Sequence, residues 1–229
     1  MRTFYFRPES SYISRMFTLF VTVLAALFSV VNPIGVVPVY LGLTPDDTPA
    51  ERNTTAWHTS MWFVLILLAF FFLGTSILSF FGITISAIRI AGGLIIMSSG
   101  YSLLQGKFAE SRAVGAKVKA EAMQKEDISF SPMAMPLLSG PGSISLLIGL
   151  YATNDGWPER MVIAGVVVLM GFIIYVVLRI APMLKRVLGF GGLRALSRIM
   201  GFLVMAIGIQ LIVGGIVALI AEIAAAKAG

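Results

Sequence analysis

The sequence contains no cysteine, and only one of its 229 residues is a histidine, His58. Without cysteine the chain can form no disulfide, no thiolate metal site and no thiol nucleophile, and a single histidine excludes a histidine-rich metal cluster. Charged residues are also scarce, at 12% of the chain, against about 25% in a typical soluble domain. Hydrophobic residues make up 58%, and the mean hydropathy is +0.93. The sequence therefore predicts an integral membrane protein in contact with the lipid bilayer.

Aspartate and glutamate are absent from every long apolar stretch. A membrane-bound enzyme would need a nucleophile, a base or a metal constellation, so we predict no catalytic residue, no metal site and no cofactor, and expect the chain not to be an enzyme. A proton-coupled pump commonly carries a carboxylate or a histidine near mid-membrane. Sodium could instead be held by backbone carbonyls together with asparagine and serine oxygens, so the sequence leaves the coupling ion, Na⁺ or H⁺, open.

Charge-free stretches occur six times, and each suffices for one membrane crossing, since a spanning helix needs about 20 apolar residues. We therefore predict an all-α polytopic membrane protein with six transmembrane helices. The net charge of +6 fits lysine and arginine in cytoplasmic loops and does not indicate a nucleic-acid partner. These cations are more numerous on the side opposite the termini, which places both termini outside, on the periplasmic face of a cell inner membrane. The stretches are 16–45, 59–88, 90–106, 128–154, 161–178 and 199–221.

A polar segment, 107–127, separates the six helices into two groups of three. Two landmarks recur across it at nearly the same shift: the pattern Arg-Ile-x-Gly-x-Leu, which begins at Arg89 and at Arg198, and a proline, at Pro33 and Pro141. Three is an odd number, so the second group must enter the membrane from the opposite face, which predicts two inverted three-helix repeats. The predicted divisions are an N-terminal tail 1–14, a first repeat 15–106, a connecting loop 107–127, a second repeat 128–221 and a C-terminal tail 222–229.

The first helix of each predicted repeat carries a helix-breaking motif, NPIG at 32–35 and SGPG at 139–142. Proline suits the first position of a helix, so a half-helix should begin at each proline, capped by Asn32 in the first break and by Ser139 or Gly140 in the second. The N–H groups at such helix starts carry partial positive charge, which suits a carboxylate. The alternative is that both breaks are only kinks that let helices cross or let a hairpin re-enter the membrane.

If the breaks form a binding site, N–H groups near their glycines would take the carboxylate of a substrate, and asparagine and serine would orient its ammonium group. Two further polar residues, Arg89 and Arg198, lie at equivalent positions near the starts of the third and sixth helices. They either extend to the membrane interface or act as gates or carboxylate partners. The candidate substrate-binding residues are Ser29, Asn32, Pro33, Gly35, Ser139, Gly140, Pro141, Gly142 and Ser143.

These motifs together resemble the MarC family of bacterial and archaeal inner-membrane proteins, over about residues 15–221. The resemblance implies an organisation similar to that of neutral amino acid transporters, near the LysE-type exporters. The family takes its name from a multiple antibiotic resistance locus, and that label does not by itself imply drug efflux. The residues that carry the resemblance are NPIG at 32–35 with Pro38, RIAGG at 89–93, Pro136 with SGPGSI at 139–144, and SRIMGF at 197–202.

The breaks, the repeat and the resemblance together predict a secondary transporter of small solutes, with a neutral amino acid as the substrate, working by alternating access around the paired half-helix starts. Other functions stay open at this point: a non-transporting membrane scaffold or regulatory protein, a channel, or an exporter of other small molecules, including drugs. A scaffold would tolerate bulky residues at the breaks, whereas a transporter would lose activity. The sequence leaves the oligomeric state open.

Overall fold

The computed structural model describes residues 9–105 and 127–228. Within these ranges every regular element is helical. Five helical stretches are long and apolar enough to cross a membrane, and a bent pair of segments, 129–153, makes a sixth if it is one span. The prediction of an all-α polytopic membrane protein is confirmed. The predicted connecting loop 107–127 lies outside the described residues except for its last one, as do the first eight residues of the predicted tail 1–14.

The first half of the chain contains four helices: α1 (Glu9–Val31), α2 (Pro33–Leu43), α3 (Pro49–Phe80) and α4 (Ile85–Leu104). Helix α1 begins inside the segment predicted as a tail. A single residue, Asn32, separates α1 from α2, and the two continue as one apolar stretch long enough to span the membrane. Helix α3 starts with a reciprocal capping box, in which a threonine hydroxyl accepts from the N3 amide and the N3 glutamate accepts from the threonine amide.

The second half begins with an irregular coiled stretch, here called the proline segment (Ser129–Leu138), which contains cis bonds before its two prolines, Pro132 and Pro136. It is followed by α5 (Pro141–Thr153), α6 (Trp157–Arg179) and α7 (Ala181–Ala228). Helix α7 is interrupted at Gly189, whose φ of 63° is a left-handed conformation that glycine adopts without steric cost. Its membrane-spanning part is Gly191–Ala224, and the helix itself continues through most of the predicted C-terminal tail 222–229.

Helices α4 and α7 pack backbone against backbone. A Cβ atom on Gly93 would lie 2.7 Å from the carbonyl oxygen of Gly208, and one on Gly100 would lie 2.7 Å from that of Gly201, so both contacts require glycine. Positions rise along α4 as they fall along α7, and the two helices are therefore antiparallel. An inverted repeat demands this relation between equivalent third helices, while the symmetry of the complete halves stays a prediction.

The buried apolar core is formed mainly by the two broken spans, α1 with α2 and the proline segment with α5, together with α3 and α6. Lipid tails are as apolar as these side chains, so close packing rather than removal from water stabilises the bundle. Helix α7 contributes little to this core, because most of its large apolar side chains lie on the surface of the isolated chain, where they can contact lipid. The largest fully buried side chains include Leu27, Tyr40, Phe63, Leu67, Phe71, Leu137, Leu147 and Ile163.

Candidate functional site

The first break is closed by its own asparagine. Asn32 has a left-handed backbone, with φ 48° and ψ 64°, and its side-chain oxygen accepts a hydrogen bond from the N–H of Gly35 at 3.2 Å. The backbone oxygen of Asn32 lies 3.0 Å from the same N–H. The predicted cap at Asn32 is confirmed. Because the cap uses the Gly35 N–H, that group cannot also bind a substrate carboxylate in this conformation.

The second break bends the chain by 62° between the proline segment and α5. Gly140 occupies the cap position and supplies no side-chain acceptor, and Pro141 has no N–H group. The N–H of Ile144 makes the first hydrogen bond of the helix, to the carbonyl oxygen of Gly140 at 3.2 Å. The N–H groups of Gly142 and Ser143 precede this bond, so they have no acceptor within the helix. This helix start therefore keeps its donors for another partner.

The serine hydroxyls at the breaks are used differently from one another. Ser143 donates to the Gly140 carbonyl oxygen at 2.9 Å, and Ser29 donates to the Ala25 carbonyl oxygen at 2.8 Å. The protons of these two hydroxyls are thus committed to backbone, which leaves only their oxygens as acceptors. The hydroxyl of Ser139 is fully buried and has no hydrogen-bond partner among the described residues, and the same holds for the side-chain nitrogen of Asn32.

A cavity of about 250 Å³, here called the break cavity, opens at the second break. On the usual volume of about 30 Å³ per liquid water it has room for roughly eight waters, or for a small organic solute. Its wall combines the second break with parts of α1, α4 and α7, so both halves of the chain contribute. The lining residues are Val30, Ile95, Ile96, Ser99, Pro136, Gly140, Pro141, Gly142, Ser143 and Val204.

Four of the nine sequence-predicted binding residues lie on this wall, all of them in the second break, Gly140 to Ser143. The members at the first break, with Ser29 and Ser139, are not on it. The first half takes part through α4 and through Val30 of α1, to whose Cγ1 atom a Cβ atom on Gly142 would lie at 3.7 Å. The apolar wall residues of α4 and α7, such as Ile96 and Val204, had no signal in the sequence.

The break cavity carries no formal charge among the described residues that line it. A net anion or cation would therefore face the cost of entering an apolar site without a counter-ion. A molecule with a carboxylate and an ammonium group is neutral overall and needs only partial charges at each end. Across residues 9–105 and 127–228 there is also no group of three or more acidic or histidine side chains placed to hold a metal.

The two repeat-related arginines have different surroundings. Arg89 is half-buried and lies on the wall of a second cavity of about 360 Å³, together with Gln210 and Thr153. Arg198 is exposed and lines neither the break cavity nor this second cavity. Neither arginine forms an ion pair with a described carboxylate. The second cavity also involves Thr22, Ala26, Leu146, Gly149, Leu150, Ile207, Leu211 and Gly214.

Comparison with known proteins gives one consistent family. A model described as MarC family integral membrane protein matches residues 17–220. The UPF0056 membrane protein YhcE of Escherichia coli is 38% identical over 199 residues, which cover 83% of this chain and 88% of that protein. The UPF0056 inner membrane protein MarC of Salmonella typhimurium is 32% identical over 206 residues, covering 86% and 93%. A UPF0056 membrane protein of Methanocaldococcus jannaschii is 34% identical over 198 residues, covering 86% and 95%. No solved structure matches the chain.

Proposed function

We propose that this chain, which belongs to the MarC family of integral membrane proteins, is a secondary transporter that carries a neutral amino acid across the inner membrane. The observation that carries the proposal is the uncharged break cavity, where the start of α5 brings N–H groups that have no hydrogen-bond acceptor within the helix. Such a start favours a carboxylate, and the apolar remainder of the wall favours a small side chain.

Each end of an amino acid has a partner on this wall. The N–H groups of Gly142 and Ser143 would take the carboxylate. The hydroxyls of Ser99 and Ser143 donate their protons to backbone carbonyls, at 2.9 Å in both cases, so their oxygens remain to accept hydrogen bonds from the ammonium group. Asn32 acts indirectly in this scheme, by holding the first break closed.

We propose further that both termini lie outside, on the periplasmic face. The transport assay identifies the coupling ion. Purified protein in liposomes should take up or exchange labelled glycine, alanine or serine under a sodium or proton gradient. Absence of uptake and counterflow for all three, under both gradients, would overturn the proposal and favour a scaffold. Transport of drugs but not amino acids would favour an exporter of other molecules.

A pair of glycine substitutions links this activity to the cavity. A Cβ atom on Gly142 would lie 2.6 Å from the Cγ1 atom of Ile96, whereas one on Gly165, in the membrane-spanning helix α6, meets nothing within 4 Å. Gly142→Ala should lower transport at least about tenfold, because the methyl group crowds the N–H groups at the helix start. Gly165→Ala should stay within about twofold. Membrane insertion and thermal unfolding, followed by tryptophan fluorescence, separate lost function from lost folding. Equal transport by both variants would contradict the assignment.

A further inference from the structure

The cavity that contains Arg89, here called the arginine cleft, is built from the same four helices as the break cavity. Helices α1, α4, α5 and α7 line both. On each helix the residues that line the arginine cleft are separate from those that line the break cavity. They lie towards the N-terminal end of α1 and α4 and towards the C-terminal end of α5 and α7, which is the same end of the bundle. The two cavities therefore lie along a single seam between the halves of the chain.

The distance between them is short. On α5 the break cavity ends at Ser143 and the arginine cleft begins at Leu146, and on α7 the corresponding residues are Val204 and Ile207. Three residues are a little less than one helical turn, a rise of about 4.5 Å. A solute in the cleft would need to move by only about one turn to reach the N–H groups at the second break, past the buried side chain of Leu146.

The mostly apolar wall of the arginine cleft carries two long polar side chains, Arg89 and Gln210. Gln210 lies on its wall in the middle of a charge-free run of α7, and it is exposed on the isolated chain. An amide facing lipid at this depth would be costly, so the position of Gln210 favours a cleft that admits water. The Arg89 guanidinium packs over Gly149, where a Cβ atom would lie 3.5 Å from its Nε atom, and it forms no ion pair with a described carboxylate. It is a cation available to an anionic group.

We infer that the arginine cleft is the vestibule of the transport route on the side of the bundle where α1 begins, and that Arg89 binds the substrate carboxylate there before it passes to the second break. This inference rests on the proposed function. It also separates the two repeat-related arginines, since Arg198 is exposed and does not line the cleft. A guanidinium suits this role because its planar donors can hold both carboxylate oxygens.

The absence of cysteine allows a test that does not depend on transport. Thr22→Cys places a thiol on the cleft wall, and Val21→Cys places one at the same depth on the neighbouring face, which the cleft does not include. Each variant is treated with an anionic thiol reagent, 2-sulfonatoethyl methanethiosulfonate, and with its cationic trimethylammonium analogue. The rate constant for the anionic reagent divided by that for the cationic reagent, measured at Thr22→Cys, should fall at least about fivefold when Arg89→Gln is added. A nearby positive charge attracts the anionic reagent and repels the cationic one. Arg198→Gln should leave the ratio unchanged.

The outcomes are distinct when the experiment is run first in nonionic detergent and then in vesicles with and without phosphatidylglycerol. An unreactive Thr22→Cys, or a ratio that Arg89→Gln leaves unaltered, overturns the vestibule. A charge effect that disappears only when anionic lipid is present assigns Arg89 to a lipid phosphate and overturns the substrate role. If Arg89→Gln has no effect on the ratio but the protein transports amino acids, the vestibule is overturned and the proposed function stands. A charge effect without any transport instead overturns the proposed function and still supports an anion-attracting cleft.

Discussion

The two breaks begin from the same sequence signature and have opposite outcomes. At the first, α1 and α2 continue as one membrane-spanning stretch, and the cap residue uses the N–H of Gly35. At the second, the chain turns by 62°, the cap residue is Gly140, and a cavity forms beside the N–H groups that follow. The residue before the proline accounts for the difference in donors, because asparagine carries an acceptor and glycine does not.

The comparison indicates how two similar breaks can serve different roles. At the first break the cap uses the N–H of Gly35, and the donor that stays without a partner, the side-chain nitrogen of Asn32, does not line the break cavity, although the neighbouring Val30 does. The second break presents donors and an opening. Binding by backbone at a helix start requires that no side chain of the protein compete for the N–H groups, so under the proposed function the lack of a side-chain cap at Gly140 is what leaves the donors to a substrate.

The largest effect is expected from giving the second break the cap of the first. In Gly140→Asn, the new side-chain oxygen can accept from the N–H of Gly142 or Ser143, since the backbone of Gly140, with φ −73° and ψ 170°, is one that capping asparagine adopts. Transport of labelled alanine in liposomes should fall at least about tenfold, while the protein remains folded. The variant occupies the N–H groups of the second break with an asparagine side-chain oxygen, the same group that caps the first break.

Gly140→Ala is the matched control for this variant. Its Cβ atom meets the same neighbour, the Pro136 carbonyl oxygen at 3.0 Å, but it carries no acceptor. It should keep transport within about threefold of the parent and be less stable than Gly140→Asn by about 1 kcal/mol, the usual worth of a cap. If alanine were as damaging as asparagine, crowding rather than competition for the donors would be the cause.

The positions of both breaks could be predicted from sequence, because proline and the residue before it act locally on the backbone. The cap at Asn32 could be predicted for the same reason. The bend at the second break and the place of its cavity could not, because they depend on how α4 and α7 pack beside it. Ile96 and Val204 line the cavity only through that packing, and apolar residues in a membrane chain give no signal of their own.

The arginines illustrate the same limit. Arg89 and Arg198 occupy matching places in a repeated motif, and sequence reasoning offered both the same alternatives. The structure separates them, because Arg89 is half-buried on the wall of a cleft, whereas Arg198 is exposed and lies on neither that cleft nor the break cavity. A repeat in sequence specifies equivalent local positions, whereas the surroundings of a side chain depend on which helices neighbour each half in a given conformation.

A smaller effect, on stability rather than transport, is expected at the first break. Asn32→Ala removes the cap and puts alanine in a left-handed conformation, and each change costs about 1 kcal/mol. For a chain of this size the sum corresponds to a fall in Tm of about 4–8 °C. Asn32→Gly keeps the left-handed backbone at no steric cost, so it should lose less than half as much.

Tryptophan fluorescence on heating the detergent-solubilised protein measures both variants. Transport per folded molecule should stay within about threefold in Asn32→Gly, because the first break does not line the cavity. A tenfold loss of transport in a stable Asn32→Gly protein would show that both breaks bind the substrate, and the contrast between them would fail.

The smallest effects are expected from two carboxylates outside the membrane, one near each half's broken span. Burial raises the pKa of Asp47, with help from Glu51 and against the pull of Arg52, whereas hydrogen bonding from Ser129, whose N–H donates to the Asp127 carboxylate at 2.8 Å, holds the pKa of Asp127 below its ordinary value of 3.8. A raised carboxyl pKa means that the folded state takes up its proton first, so Asp47 adds stability as the pH falls towards 4. A lowered pKa means that Asp127 adds stability at neutral pH, which is lost only as the pH falls below about 4 through its folded pKa.

Asp47→Asn should therefore raise Tm at pH 7, and Asp127→Asn should lower it, each by no more than about 2 °C because both side chains are largely solvated. Melting curves at pH 7 and pH 4.5 distinguish the two. The gain from Asp47→Asn should shrink at pH 4.5, since the parent carboxyl is then partly protonated, while the loss from Asp127→Asn should be unchanged because that carboxyl is still ionised. The same pH response in both variants would contradict the opposite environments that the structure gives these two loops.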